Sequence, residues 1–111
     1  MRTAAKALAL LFALGATGSA AAGELSPDRR AELAHLLRHD CGACHGLTRQ
    51  GGLGPALTPD RLEGRSVESL TEIILQGVPD TPMPPWGRFL SRREAVWLAR
   101  QLKEGSGDAS H

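Results

Sequence analysis

The chain has no tyrosine, two tryptophans and two phenylalanines among its 111 residues, an aromatic share of 4%. It is therefore short of the rings that supply the largest apolar area per residue to a small core. It also lacks an excess of either charge, with 13 Lys and Arg against 12 Asp and Glu. That balance excludes a nucleic-acid binder working through a basic face, and it creates no strong field towards anionic membranes. No alternating apolar and polar stretch reads as a strand. No apolar run reaches the roughly 20 residues needed to span a bilayer. Only two cysteines occur, and they stand close together.

The N-terminal segment has its own pattern. Arg2 and Lys6 precede an apolar run over residues 7–16, and the small residues Ser19, Ala20, Ala21 and Ala22 follow. This order reads as a secretory signal peptide over residues 1–22, cleaved near Ala22, with no cysteine beside the cut to suggest a lipoprotein. The expected mature protein is periplasmic, with no stable membrane insertion once the signal is removed. Without residues 1–22, about 89 of the 111 residues remain, which is one small domain, over residues 23–104, and a polar tail over 105–111. A domain of this size buries a limited fraction of its surface and usually needs a staple.

Cys41-Gly42-Ala43-Cys44-His45 offers one. Two thiols three residues apart, with an imidazole directly after them, form an attachment site for a c-type haem. Each thiol can add across a vinyl group to give a thioether, and His45 then falls beneath the iron as the proximal axial ligand. Three other uses of the pair stay open. A redox dithiol shares the spacing but normally opens a helix after a strand. A zinc site needs four ligands, for which His35 and His39 lie just upstream. A plain disulfide is the third, since two free thiols this close would tend to pair in an oxidising compartment.

The remaining pattern is helical. Ser26, Pro27 and Asp28 form a helix start, with Ser26 as N-cap and Pro27 in the first turn, and the helix should run to about Asp40. Leu33, Leu36 and Leu37 give it an apolar side. A glycine-rich loop follows over residues 46–57; it is no phosphate cradle, because no Gly-Lys-Ser/Thr completes it and no strand precedes it. Thr58-Pro59-Asp60 can begin a short turn. Ser66 caps a helix carrying Val67, Leu70, Ile73 and Ile74 to a stop at Gly77. Four prolines between Val78 and Trp86 exclude regular structure there. A last helix starts at Ser91, where Glu94 completes a capping box, and carries Ala95, Leu98, Ala99 and Leu102 to about Lys103.

An iron held by His45 has one further axial position, and its occupant decides the chemistry. Met83 is the leading candidate: beyond Met1 it is the sole methionine, and prolines on both sides stiffen the loop that presents it. The alternative is a methionine that merely fills a gap. His35 and His39 compete for the position, but both lie on the helix entering the motif and read as solvent-facing; His111 sits in the tail. Arg88, Arg92 and Arg93 cluster after the methionine loop, either as a docking patch for an acidic partner or as a solvated helix face offset by Glu94. Trp86 either donates its indole N–H to a haem propionate or covers a haem edge.

Taken together these residues resemble a class I cytochrome c. The likeness runs from the first helix through Cys41 to His45, Gly54-Pro55-Ala56-Leu57, Met83 and the closing helix with Trp97-Leu98. It implies an all-α fold of three main helices around one covalently bound haem c, with the first and last helices crossing near Trp97. It further implies that the Pro55 carbonyl holds the Nδ1–H of the axial histidine. Met83-Pro84-Pro85-Trp86 and the short length are similar to the small periplasmic cytochrome c55X group associated with cytochrome cd1 nitrite reductase. For that group the resemblance implies a monomeric electron carrier, not an enzyme, whose redox partner is the nitrite reductase or whose task lies in maturing haem d1. An apolar pocket of Leu53, Leu57, Leu70 and Ile74 is expected around the haem. The rival reading is a five-coordinate haem enzyme or sensor, which lacks a well-placed acid-base residue.

Overall fold

A computed structural model describes residues 9–11, 15 and 24–105. Apart from residues 9–11 and 15, the expected signal peptide lies outside the described residues, as do His111 and the rest of the tail beyond Gly105. The described residues form helices and loops, without a β-strand.

Helix α1 spans Pro27–Leu36, and the Ser26 hydroxyl accepts from the Arg29 amide at 3.1 Å, the cap read from the sequence. The helix does not stop near Asp40. It widens into a π-helical turn, Leu37–Cys41, and tightens again as α2, Gly42–His45. One surplus residue in a turn advances the helical phase by about 100°. Leu33 and Leu37 keep their core positions on the near side of that turn, while the Cys41-to-His45 segment is re-aimed beyond it.

Helix α3, Pro59–Leu62, is short. Helix α4 spans Val67–Gln76, with the Ser66 hydroxyl accepting from the Ser69 amide at 3.0 Å. A 3₁₀ turn, Trp86–Arg88, precedes α5, Arg92–Glu104. The capping box at the start of α5 is complete: Glu94 N–H donates to Ser91 Oγ at 3.1 Å, and Ser91 N–H donates to Glu94 Oε1 at 2.9 Å. Gly105 closes the helix in the left-handed region.

The core is aliphatic. Leu33, Leu37, Leu62, Leu70, Leu90, Leu98, Ala99 and Leu102 pack into one cluster, with Trp86 and Trp97 partly buried against it. All four apolar residues expected on α5 are buried, Ala95 and Ala99 completely. These alanines let neighbouring elements approach α5 closely, and it packs against α4, α3 and α1. Glu94 adds a polar tie: its Oε2 accepts from Arg29 Nε, and Arg29 also reaches Glu32 on its own helix at 2.7 Å. The first and last helices are thus joined as well as packed. Among the described residues no helix is long and apolar enough to cross a membrane.

Candidate haem site

Cys41 ends the π turn and Cys44 lies in the last turn of α2. The two thiols form no disulfide; Cys44 is exposed and Cys41 half-buried. Burial pushes the Cys41 thiol up to about 11, with the neighbouring Asp40 carboxylate adding to the rise and Arg49 opposing it. Among the described residues no strand precedes the pair, as a redox dithiol would normally require. Among the described residues no three His, Cys, Asp or Glu side chains converge as metal ligands, so the zinc reading finds no ligand set. His35 and His39 are exposed and lie against each other, ring centroids 4.2 Å apart, as the solvent-facing reading expects.

His45 is held from two directions. Its Nδ1 lies 2.7 Å from the Pro55 carbonyl oxygen. A carbonyl can only accept, so Nδ1 carries the proton and the Nε2 lone pair is left for a metal. Gly54 fits against the ring itself: a Cβ there would sit 2.7 Å from Cε1 and 2.9 Å from Nδ1. The glycine-rich loop is tied back onto α2 by Gly54 N–H to Cys44 O and Gly51 N–H to His45 O, each 2.8 Å. These bonds satisfy carbonyls that the end of a short helix would otherwise leave open. The loop thus orients the imidazole through contacts with backbone, glycine and proline.

Met83 is presented from the other loop. Thr81 Oγ1 donates to the Val78 carbonyl at 2.8 Å, and Asp80 adopts a positive φ of 62° to close that turn. Val78 N–H donates to Met83 O at 3.3 Å. Gly77, at φ 68°, lies under the chain, where a Cβ would stand 2.7 Å from Met83 O and from Pro84 C. Met83 itself is half-buried. Trp86 packs against the core and meets Phe89 edge to face at 6.1 Å.

Of the residues expected around the haem, Leu70 is buried, Leu57 and Ile74 are half-buried against the core, and Leu53 is exposed on the loop that holds His45. Two findings lay beyond the sequence reading. Arg92 is ion-paired with Glu72 of α4, so its place in the first turn of α5 has a structural cause without any docking patch. Arg49, which the sequence reading passed over, is 4% exposed with φ 59°. No spacing in the sequence signals its burial.

The residues therefore fit a covalently attached haem. Two thiols stand at attachment spacing, and the imidazole is oriented through Nδ1, so that Nε2 is the nitrogen available to a metal. On this fold and site the molecule is a c-type cytochrome of class I, carrying haem c. Residues 28–100 match the family described as cytochrome C oxidase, cbb3-type, subunit III. A cytochrome c55X of Pseudomonas aeruginosa is 54% identical over 101 residues, covering 89% of this chain and 82% of the relative. A solved c-type cytochrome NirC superposes with a TM-score of 0.73 at 53% identity, covering 75% of this chain and 98% of that one. A dihydro-heme d1 dehydrogenase of Pseudomonas aeruginosa is 39% identical over 109 residues, which cover 98% of this chain and 18% of that protein. The chain belongs to the cytochrome c55X group of class I cytochromes c.

Proposed function

We propose that this chain is an exported, monomeric carrier of single electrons, with its haem attached through Cys41 and Cys44 and its iron held by His45 and Met83. When bound, the haem supplies a ferrous/ferric couple. The observation that carries the reading is the 2.7 Å contact between His45 Nδ1 and the Pro55 carbonyl. It fixes the ring's orientation and raises its basicity as a ligand. Gly77 and the Val78-to-Met83 bond support the second ligand, because they hold the methionine loop in one shape. A thioether ligand favours the ferrous state and raises the potential. Trp86 is read as covering a haem edge.

In this reading residues 1–22 are a signal peptide, residues 23–104 form the cytochrome domain in the periplasm, and 105–111 are a tail. The acceptor is cytochrome cd1 nitrite reductase, as the resemblance to the c55X group implies. Visible spectra in both redox states test the ligands: a low-spin spectrum with the weak far-red thioether–iron band is expected, and a high-spin spectrum would refute Met83. Mixing the reduced protein with purified cytochrome cd1 nitrite reductase tests the acceptor. Oxidation at a rate that rises with reductase concentration is expected; no oxidation refutes the partner.

The match to a dihydro-heme d1 dehydrogenase favours a second reading, an accessory redox protein in haem d1 maturation. Rapid reduction by that enzyme's turnover, with no transfer to nitrite reductase, would select it over the first.

A further inference from the structure

The arginine doublets of this chain split their roles. Arg29 and Arg92 are ion-paired, to Glu32 and Glu94 and to Glu72 respectively. Their neighbours Arg30 and Arg93, about 100° further round each helix, turn to another face. There they line, with Arg100, a surface groove of about 290 Å³. Its apolar lining comes from Leu25, Val96 and Trp97, and Glu24 is the one carboxylate among the lining residues. Arg30, Arg93 and Arg100 are all exposed, and none makes an ion pair or side-chain hydrogen bond among the described residues. The groove shares no residue with the candidate haem site.

Three guanidiniums facing one carboxylate over an aromatic floor repel one another unless something anionic lies between them. Guanidinium forks match carboxylates bidentately and stack on aromatic faces, and tryptophan and arginine are the side chains that most often anchor interfaces. The spacing selects the kind of anion. Arg93 and Arg100 are seven residues apart on α5, roughly 10 Å along its axis, too far for one small anion to bridge. An extended chain carries the side chains of one face about 7 Å and about 13 Å apart, so alternate carboxylates of one segment can each meet a long arginine side chain.

We propose that this groove, between the start of α1 and the outer face of α5, docks an acidic segment of a protein partner. Carboxylates of that segment meet Arg30, Arg93 and Arg100, and an apolar side chain rests on Trp97 and Val96. The proposal is independent of which residues hold the iron, and its test reads binding and not electron transfer.

The experiment titrates isotope-labelled holo-protein with a peptide of alternating glutamate and leucine, following the Trp97 indole N–H resonance. Binding that weakens with salt is expected. The variant Arg30→Gln, Arg93→Gln, Arg100→Gln should bind about tenfold or more weakly, and Arg93→Gln alone about threefold. The variant Arg61→Gln, Arg65→Gln, Arg88→Gln removes the same charge elsewhere and should bind as the parent does. Visible spectrum and helical circular dichroism check that each variant is folded. Equal losses in both triple variants would overturn the proposal, as would equal binding of the glutamine counterpart of the peptide. So would sulfate shifting the same resonances with the peptide's affinity, which marks a small-anion site. Capture by anionic lipid vesicles through the same three arginines, without peptide binding, would assign the groove to a membrane instead.

Discussion

Replacing Gly54 with alanine adds one methyl group against the ring of His45, and the cost can be worked from the geometry. The new Cβ would lie 2.7 Å from Cε1 and 2.9 Å from Nδ1, well inside the contact distance of two carbon atoms. The backbone of Gly54 has no positive φ, so alanine brings no conformational strain and the effect is purely one of space. Either the ring rotates and stretches its 2.7 Å bond to Pro55, or the loop lifts from α2 and gives up the Gly54-to-Cys44 bond. Overpacking of this kind costs about 1–3 kcal/mol and a lost hydrogen bond about 1 kcal/mol. The stiffer unfolded chain returns about 0.5 kcal/mol. A net loss of about 2 kcal/mol should lower the guanidinium midpoint of the holo-protein by about 0.5 M. The reduction potential should move as well, because the imidazole's hydrogen bond tunes its basicity. Gly64→Ala is the control: nothing lies within 4 Å of its Cβ, and its midpoint should hold or rise slightly. A Gly54→Ala protein with the parent's midpoint and the parent's potential would refute the claim that Gly54 seats the ring.

Four further outcomes are expected. Gly77→Ala, which forces a side chain into φ 68° beneath Met83, should destabilise by about 1–3 kcal/mol and weaken the far-red thioether band. Met83→Ala should abolish that band and lower the potential; an unchanged absorption spectrum would remove Met83 from the iron. Ser91→Ala takes one side of the capping box and should cost about 1 kcal/mol in thermal or chemical denaturation. Arg29 holds the Glu94 carboxyl below the usual carboxylate range, mainly through their hydrogen bond. A depressed native value means stability that is present above the unfolded value, about 4.3, and is lost as pH falls towards the native one. Glu94→Gln should therefore start less stable at neutral pH and lose less on acidification, as denaturation midpoints at both ends of that range would show.

What the sequence disclosed was local. Ser26, Ser66 and Ser91 could be read as caps because each bonds an amide three residues on, and the Ala95 to Leu102 stripe because helical spacing alone puts it on one side. The haem site was legible for the same reason: attachment spacing is contained in five consecutive residues. What stayed hidden depends on contacts between distant segments. The π turn at Leu37–Cys41 leaves no mark in residue type. The burial of Arg49 and the pairing of Arg92 with Glu72 require knowing which elements meet.

The carboxylate of Glu94 caps its own helix and grips Arg29, 65 residues earlier. Its consequence is that the support of the haem-binding segment is not local. A chain that stops before α5 loses the partner of Arg29 and the Leu98, Ala99 and Leu102 side of the core together. Helix α1, which runs on into the Cys41-to-His45 segment, then has only part of its packing, so the attachment motif is held in place by residues more than 40 positions further along the chain.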